Sequence, residues 1–171
     1  MIKFLKIIVF VVLLLIIYLS LNPLVLDYSD SSINLTDNRF KKGDEFTLND
    51  LLNQVDKSHY KVYLILNEED DNIINSEKIK NTVLVTSDKN LILRLFNEKF
   101  IYTDKDVSTI QSKMVLCSGE KVVFKSAILI SNEKIGIQNR YTGWSELKES
   151  KDFNSILKQF KEYYFPILIL K

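Results

Sequence analysis

Two side chains in this sequence could support nucleophilic chemistry together: Cys117, at the end of the apolar run Val115-Leu116-Cys117, and His59, the only histidine. A thiol attacks as the thiolate, which requires a depressed pKa and usually an imidazole base within reach. A single histidine rules out HExxH and any paired-histidine zinc site, and a single cysteine leaves no CxxC pair and no internal disulfide. Paired carboxylates are the other option, with Glu68 and Asp71 or Asp104 and Asp106 as acid and base; such clusters read more simply as solvated loops. No serine sits in GxSxG, and the four glycines are ungrouped, so no phosphate-cradling loop, dinucleotide fingerprint or other cofactor motif is present.

The segment 139–146, Asn-Arg-Tyr-Thr-Gly-Trp-Ser-Glu, has a different character. It brings together Arg140, Tyr141, the only tryptophan, Trp144, and Glu146. Arg, Tyr and Trp dominate binding hot spots, so these four residues are the candidate protein-binding set, on a loop between a strand and a helix. The competing role for Trp144 is to anchor that loop in the core.

The elements that must position these residues follow from hydrophobic pattern. Residues 1–26 hold 21 apolar side chains, leaving the other 145 at about 40%. No charge lies between Lys6 and Asp27, and residues 4–21 are long enough to cross a bilayer, which needs roughly 20 residues. This predicts an N-terminal membrane anchor over 1–26, in contact with lipid through 4–21. A cleaved signal peptide is the rival, weakened by bulky Tyr18 two residues before Ser20, the only small residue available. Lys3 and Lys6 precede the span and Asp27 follows it, so the positive-inside rule places the N-terminus in the cytoplasm and the rest in the periplasm or outside the cell.

Residues 27–45 are polar and aperiodic and read as a tether; 46–171 read as one outward-facing α+β domain, a small mixed sheet with an amphipathic C-terminal helix. Thr47 and Asp50 form a capping box for a first helix carrying Leu48, Leu51, Leu52 and Val55. Strands are expected at 60–66, 82–86, 100–102, 114–117, 122–130 and 135–138, with a hairpin at 131–134 and a bulge or close backbone approach at Gly136. Ser87 is the expected cap of a helix burying Leu91, Leu95 and Phe96. Phe153, Ile156, Leu157, Phe160 and Tyr164 keep helical spacing up to Pro166, predicting a last helix capped by Ser150 or Asp152 and a terminal strand after it.

Beyond the anchor, 21 basic residues face 22 acidic ones, which argues against nucleic acid as a partner. These features fit a membrane-anchored, non-catalytic binding or inhibitory protein of the cell envelope, such as an immunity protein that occludes a toxin, with a protein partner outside the cytoplasm. The alternatives are a small envelope enzyme using Cys117 with His59 or a carboxylate pair, and an assembly subunit of an envelope complex. No motif is specific enough to name a family.

Overall fold

The computed structural model describes residues 2–29, 40–52, 59–67, 70, 74, 82–105, 110, 112–131, 134–139 and 142–171. The apolar N-terminus forms one helix, α1 (Ile2–Leu21), whose twenty residues extend about 30 Å. Its end is closed within the chain. Ser20 Oγ donates to Ile16 O at 2.8 Å, and both the backbone N and Nδ2 of Asn22 donate to Tyr18 O, at 2.9 and 3.3 Å. Pro23 then forbids continuation.

Strand β1 (Leu24–Asp27) follows at once. It runs across the division between anchor and tether read from composition at residue 26, and Asp27 is held by Lys125 Nζ at 3.0 Å. Of the tether, 30–39 lie outside the described residues. β2 (Glu45–Thr47) leads into α2 (Leu48–Leu51) through the expected capping box: Asp50 N donates to Thr47 Oγ1 at 3.1 Å and Thr47 N to Asp50 Oδ2 at 2.8 Å. Val55 lies outside the described residues.

The other elements among the described residues are β3 (Tyr60–Ile65), β4 (Val83–Thr86), α3 (Lys89–Asn97), β5 (Lys99–Tyr102), β6 (Lys113–Ser118), β7 (Lys121–Ile130), β8 (Ile135–Asn139), β9 (Gly143–Leu147), α4 (Ser150–Leu157), β10 (Lys161–Glu162) and β11 (Ile167–Leu170). The expected strands all form. Nine of the strands make one sheet, ordered β10-β4-β3-β6-β7-β8-β9-β5-β2, and every pairing in it is antiparallel. β1 and β11 form a separate parallel pair. The chain is thus an N-terminal apolar helix followed by a domain of mixed helix and sheet.

Alternation along β3 divides the core in two. Val62 and Leu64 face the helices, packing with Leu48, Leu91, Leu95, Phe96, Phe153 and Leu157. Tyr63 and Ile65 face the other way, toward Val83, Val115, Cys117 and Val122, which Leu168 and Leu170 of β11 cover. Each such aliphatic side chain contributes about 1.5–3 kcal/mol of burial, so β11 is a structural lid on the sheet.

Three expectations need correction. The cap of α3 is Asp88, not Ser87: Asp88 Oδ1 accepts from Asn90 N at 2.8 Å and Leu91 N at 3.0 Å. The last helix stops at Leu157. Short closures (Gln159 N to Ile156 O, 3.1 Å; Phe160 N to Leu157 O, 3.0 Å) turn the chain out, and 161–162 join β4 as an edge strand. Phe160 is buried in that turn and Tyr164 is exposed. Its N-cap is Glu149, whose side chain makes no capping bond. Third, segment 139–146 is no strand-to-helix loop. Asn139 ends β8 and Gly143–Glu146 belong to β9, which pairs with β8 antiparallel, while 140–141 lie outside the described residues.

Candidate functional site

The edge where β3, β4 and β10 lie side by side carries a groove of about 530 Å³. It is lined by Lys61 and Tyr63 of β3, Val85 and Thr86 of β4, Lys161, Tyr163 and Phe165, and by Asp88, the cap of α3, with Leu91 of that helix. A shallower depression of about 440 Å³, lined by His59, Tyr60, Gly119 and Glu120, shares Lys61 and Ser87 with it. The aromatic wall is internally ordered. Tyr163 meets Tyr63 edge-on at 5.9 Å and Phe165 at 5.5 Å, and Tyr163 Oη donates to Ile167 O at 3.0 Å.

Burial, followed by the neighbouring Cys117 and Tyr163, pushes the Tyr63 phenol up to about 12. It therefore acts at neutral pH as an uncharged hydrogen-bonding surface. Lys61 and Lys161 line the groove together with Tyr63, Tyr163 and Phe165, a cationic and aromatic lining whose chemistry suits acidic or aromatic groups. Sequence pattern missed Lys161, Tyr163 and Phe165, which it absorbed into a helix. The signal available was Tyr-Tyr-Phe directly before Pro166, since a residue preceding proline is biased to extended backbone.

The structure does not assemble the thiol–imidazole pair. Cys117 lies opposite Lys61 on neighbouring strands, and His59 accepts through its backbone carbonyl from Gly119 N at 3.0 Å. Among the described residues no hydrogen bond joins the two side chains. Cys117 is 3% exposed beneath the β11 lid. Burial pushes its thiol up to about 11, against an opposing pull from Lys61. That is opposite to what a nucleophile needs.

The chain matches no family model, no curated protein and no solved structure.

Of the two carboxylate pairs, only Asp104 lies among the described residues. Glu68, Asp71 and Asp106 lie outside the described residues. Asp70, in the run read as solvated, is 4% exposed: it accepts from Ser112 Oγ and from Ile130 N at 3.3 Å, and its own N donates to Asn67 Oδ1 at 2.8 Å. A buried carboxylate needs such donors, and these bonds join Asp70 to β7 and to Ser112. Asp104 accepts from Tyr102 Oη at 3.0 Å in left-handed backbone, φ 58°. Among the described residues, no three His, Cys, Asp or Glu side chains gather as a metal site.

Of the candidate binding set, Arg140 and Tyr141 lie outside the described residues. Trp144 is 1% exposed and donates from Nε1 to Glu146 Oε1 at 3.1 Å. Glu146 Oε1 also accepts from Lys105 Nζ at 3.1 Å. The indole donor, then Lys105, holds the Glu146 carboxyl below its ordinary range. These two residues thus build the hairpin.

The raised thiol and phenol give a pH prediction. In the unfolded chain Cys117 releases its proton near 9.0, whereas the folded chain holds it to about 11. Over that interval the folded state binds more protons, so stability falls as pH rises; below it this group contributes no slope. Tyr63 extends the decline toward 12. The urea midpoint is expected to be lower near pH 11 than below pH 9. Cys117→Ala should remove the first part of the slope and leave the part of the Tyr63 decline that burial and Tyr163 cause.

Proposed function

We propose that the chain is a membrane-anchored, non-catalytic binding protein of the cell envelope, with α1 crossing the bilayer and the sheet domain holding a protein partner outside the cytoplasm. The observation that carries this reading is α1 itself. Over Lys3–Leu21 it is long and apolar enough to span a membrane or to serve as a signal sequence, and none of that surface is buried against the rest of the chain. A fully exposed apolar helix calls for another phase to cover it. Lys3 and Lys6 in its first two turns, with no basic residue in its last turn, support a cytoplasmic N-terminus.

The groove beside β10 is the binding surface in this reading, because its lysines and aromatic rings are accessible while Trp144 is committed to the core. The segment carrying Arg140 and Tyr141 is the second candidate surface. Inhibition of a toxin by occlusion, as an immunity protein does, is the specific form proposed. The buried, protonated Cys117 favours binding over thiol catalysis.

The anchor is tested on the full chain. It is expected to resist carbonate extraction, to begin near Met1, and to expose its C-terminus to protease added outside intact cells. A mature chain starting at or after Leu21 would remove the anchor from the proposal. Photo-crosslinking side chains placed in turn at Lys61 and Tyr141 locate the partner. A discrete adduct at Lys61 alone supports the groove, one at Tyr141 alone moves the site to the segment that carries it, and none at either position argues against a binding role.

A further inference from the structure

The β1–β11 pair has two apolar faces, and only one is buried. Leu168 and Leu170 close over Cys117, while the register Leu24↔Ile167 and Leu26↔Ile169 places four aliphatic side chains on the outer face. Leu24, Ile167 and Ile169 are about half exposed, at 50%, 47% and 51%, and beside them Phe165 is 69% exposed. Tyr28 and Tyr164 are exposed as well. Aromatic and branched residues so grouped on an open surface mark a contact with something apolar.

Chain connectivity says what that is. Only Asn22 and Pro23 separate α1 from Leu24, whose N donates to Pro166 O at 3.0 Å. An extended chain gains at most about 3.6 Å per residue, so the face begins within roughly 10 Å of the end of α1. We propose that this outer face, together with Phe165 and Tyr164, rests in the headgroup layer of the bilayer that α1 crosses. The inference depends on the anchor reading of α1 and adds a second, peripheral membrane contact to it. Aliphatic and Phe side chains enter the acyl boundary while Tyr rings stay at headgroup level, the division of labour found at membrane interfaces. Phe165 also stands in the wall of the groove, so the contact would open the groove at the membrane surface.

The test uses the full chain reconstituted into vesicles of phosphatidylcholine and phosphatidylglycerol. Cys117 is buried and stays unlabelled, so Phe165→Cys, Ile169→Cys, Leu93→Cys and Val11→Cys can each carry one nitroxide. Leu93 belongs to α3, on the helix-covered side of the sheet. Collisions with oxygen and with a water-soluble nickel chelate report depth. The oxygen-to-nickel ratio at 165 and 169 is expected to exceed that at 93 by roughly threefold or more, with Val11 deeper still. Ratios at 165 and 169 equal to that at 93, with Val11 deep, would overturn the peripheral contact and leave the anchor standing. An aqueous Val11 would overturn both. Nitroxides at 169 shielded from both reagents and dipolar-coupled to one another would place a second copy on this face and likewise overturn the proposal.

Discussion

Trp144→Ala is expected to lower folding stability by about 3–5 kcal/mol, the range for deleting a fully buried large aromatic. Trp144 is 1% exposed, and its ring lies over Gly136 on the neighbouring strand, where a glycine leaves no side chain in the way. The indole also donates to Glu146 and receives Lys134 Nζ at 5.7 Å from its centroid. Truncation therefore opens a cavity and removes a hydrogen bond from a carboxylate that Lys105 still holds.

The same geometry predicts a coupling. A Cβ at position 136 would overlap the Trp144 ring and would lie 2.8 Å from Ser145 O. Gly136→Ala should therefore cost about 1–3 kcal/mol by overpacking. In the Trp144→Ala background the part owed to the ring disappears and the part owed to the backbone oxygen remains. Urea denaturation of the detergent-solubilised chain and its two single and one double variants measures this directly. Penalties that add to within about 0.5 kcal/mol would show that the ring does not dictate glycine there.

What could be read ahead of the fold depends on how local each interaction is. Thr47 and Asp50 are three residues apart and cap α2 as their types require. Gly136 announced a close approach by its type alone, but Trp144 as the approaching group depends on hairpin register. Helical periodicity ran on past Leu157 because Phe160 and Tyr164 keep the spacing. The competing contact, Lys161 and Glu162 pairing with Val85 and Leu84, is remote in sequence and leaves no local trace. The same reason hides β1. Leu24-Val25-Leu26 has the composition of the span before it, and only β11, at the opposite end of the chain, makes it a strand. Asp70 looked solvated among acidic neighbours; Ser112, 42 residues away, is what buries it. The groove was unreadable for a combined reason, since its aromatic wall exists only where the misread helix ends.

The second large effect is expected at Leu168→Asp. Leu168 is 3% exposed and, with Leu170, seals the cluster that contains Val83, Val115, Val122 and Cys117. A carboxylate there enters a mainly aliphatic cluster, and burying a charge in such a setting costs several kcal/mol, so β11 should detach before the charge is buried. Its departure exposes Cys117. The thiol, pushed up to about 11 by burial, should move back toward 9.0, and its labelling by a disulfide reagent at neutral pH should accelerate by an order of magnitude or more. Ile169→Asp is the matched control, placing the same charge one residue along on the outer face, where the native side chain is 51% exposed. In detergent it should change stability by about 0.5 kcal/mol or less and leave Cys117 unreactive. In vesicles, a membrane-resting outer face would make that same substitution costly, and the domain should lift from the lipid while α1 holds the chain in place. Equal thiol exposure in both variants would mean that β11 does not seal the sheet by its inward face, and strand alternation at the C-terminus would have to be reassigned.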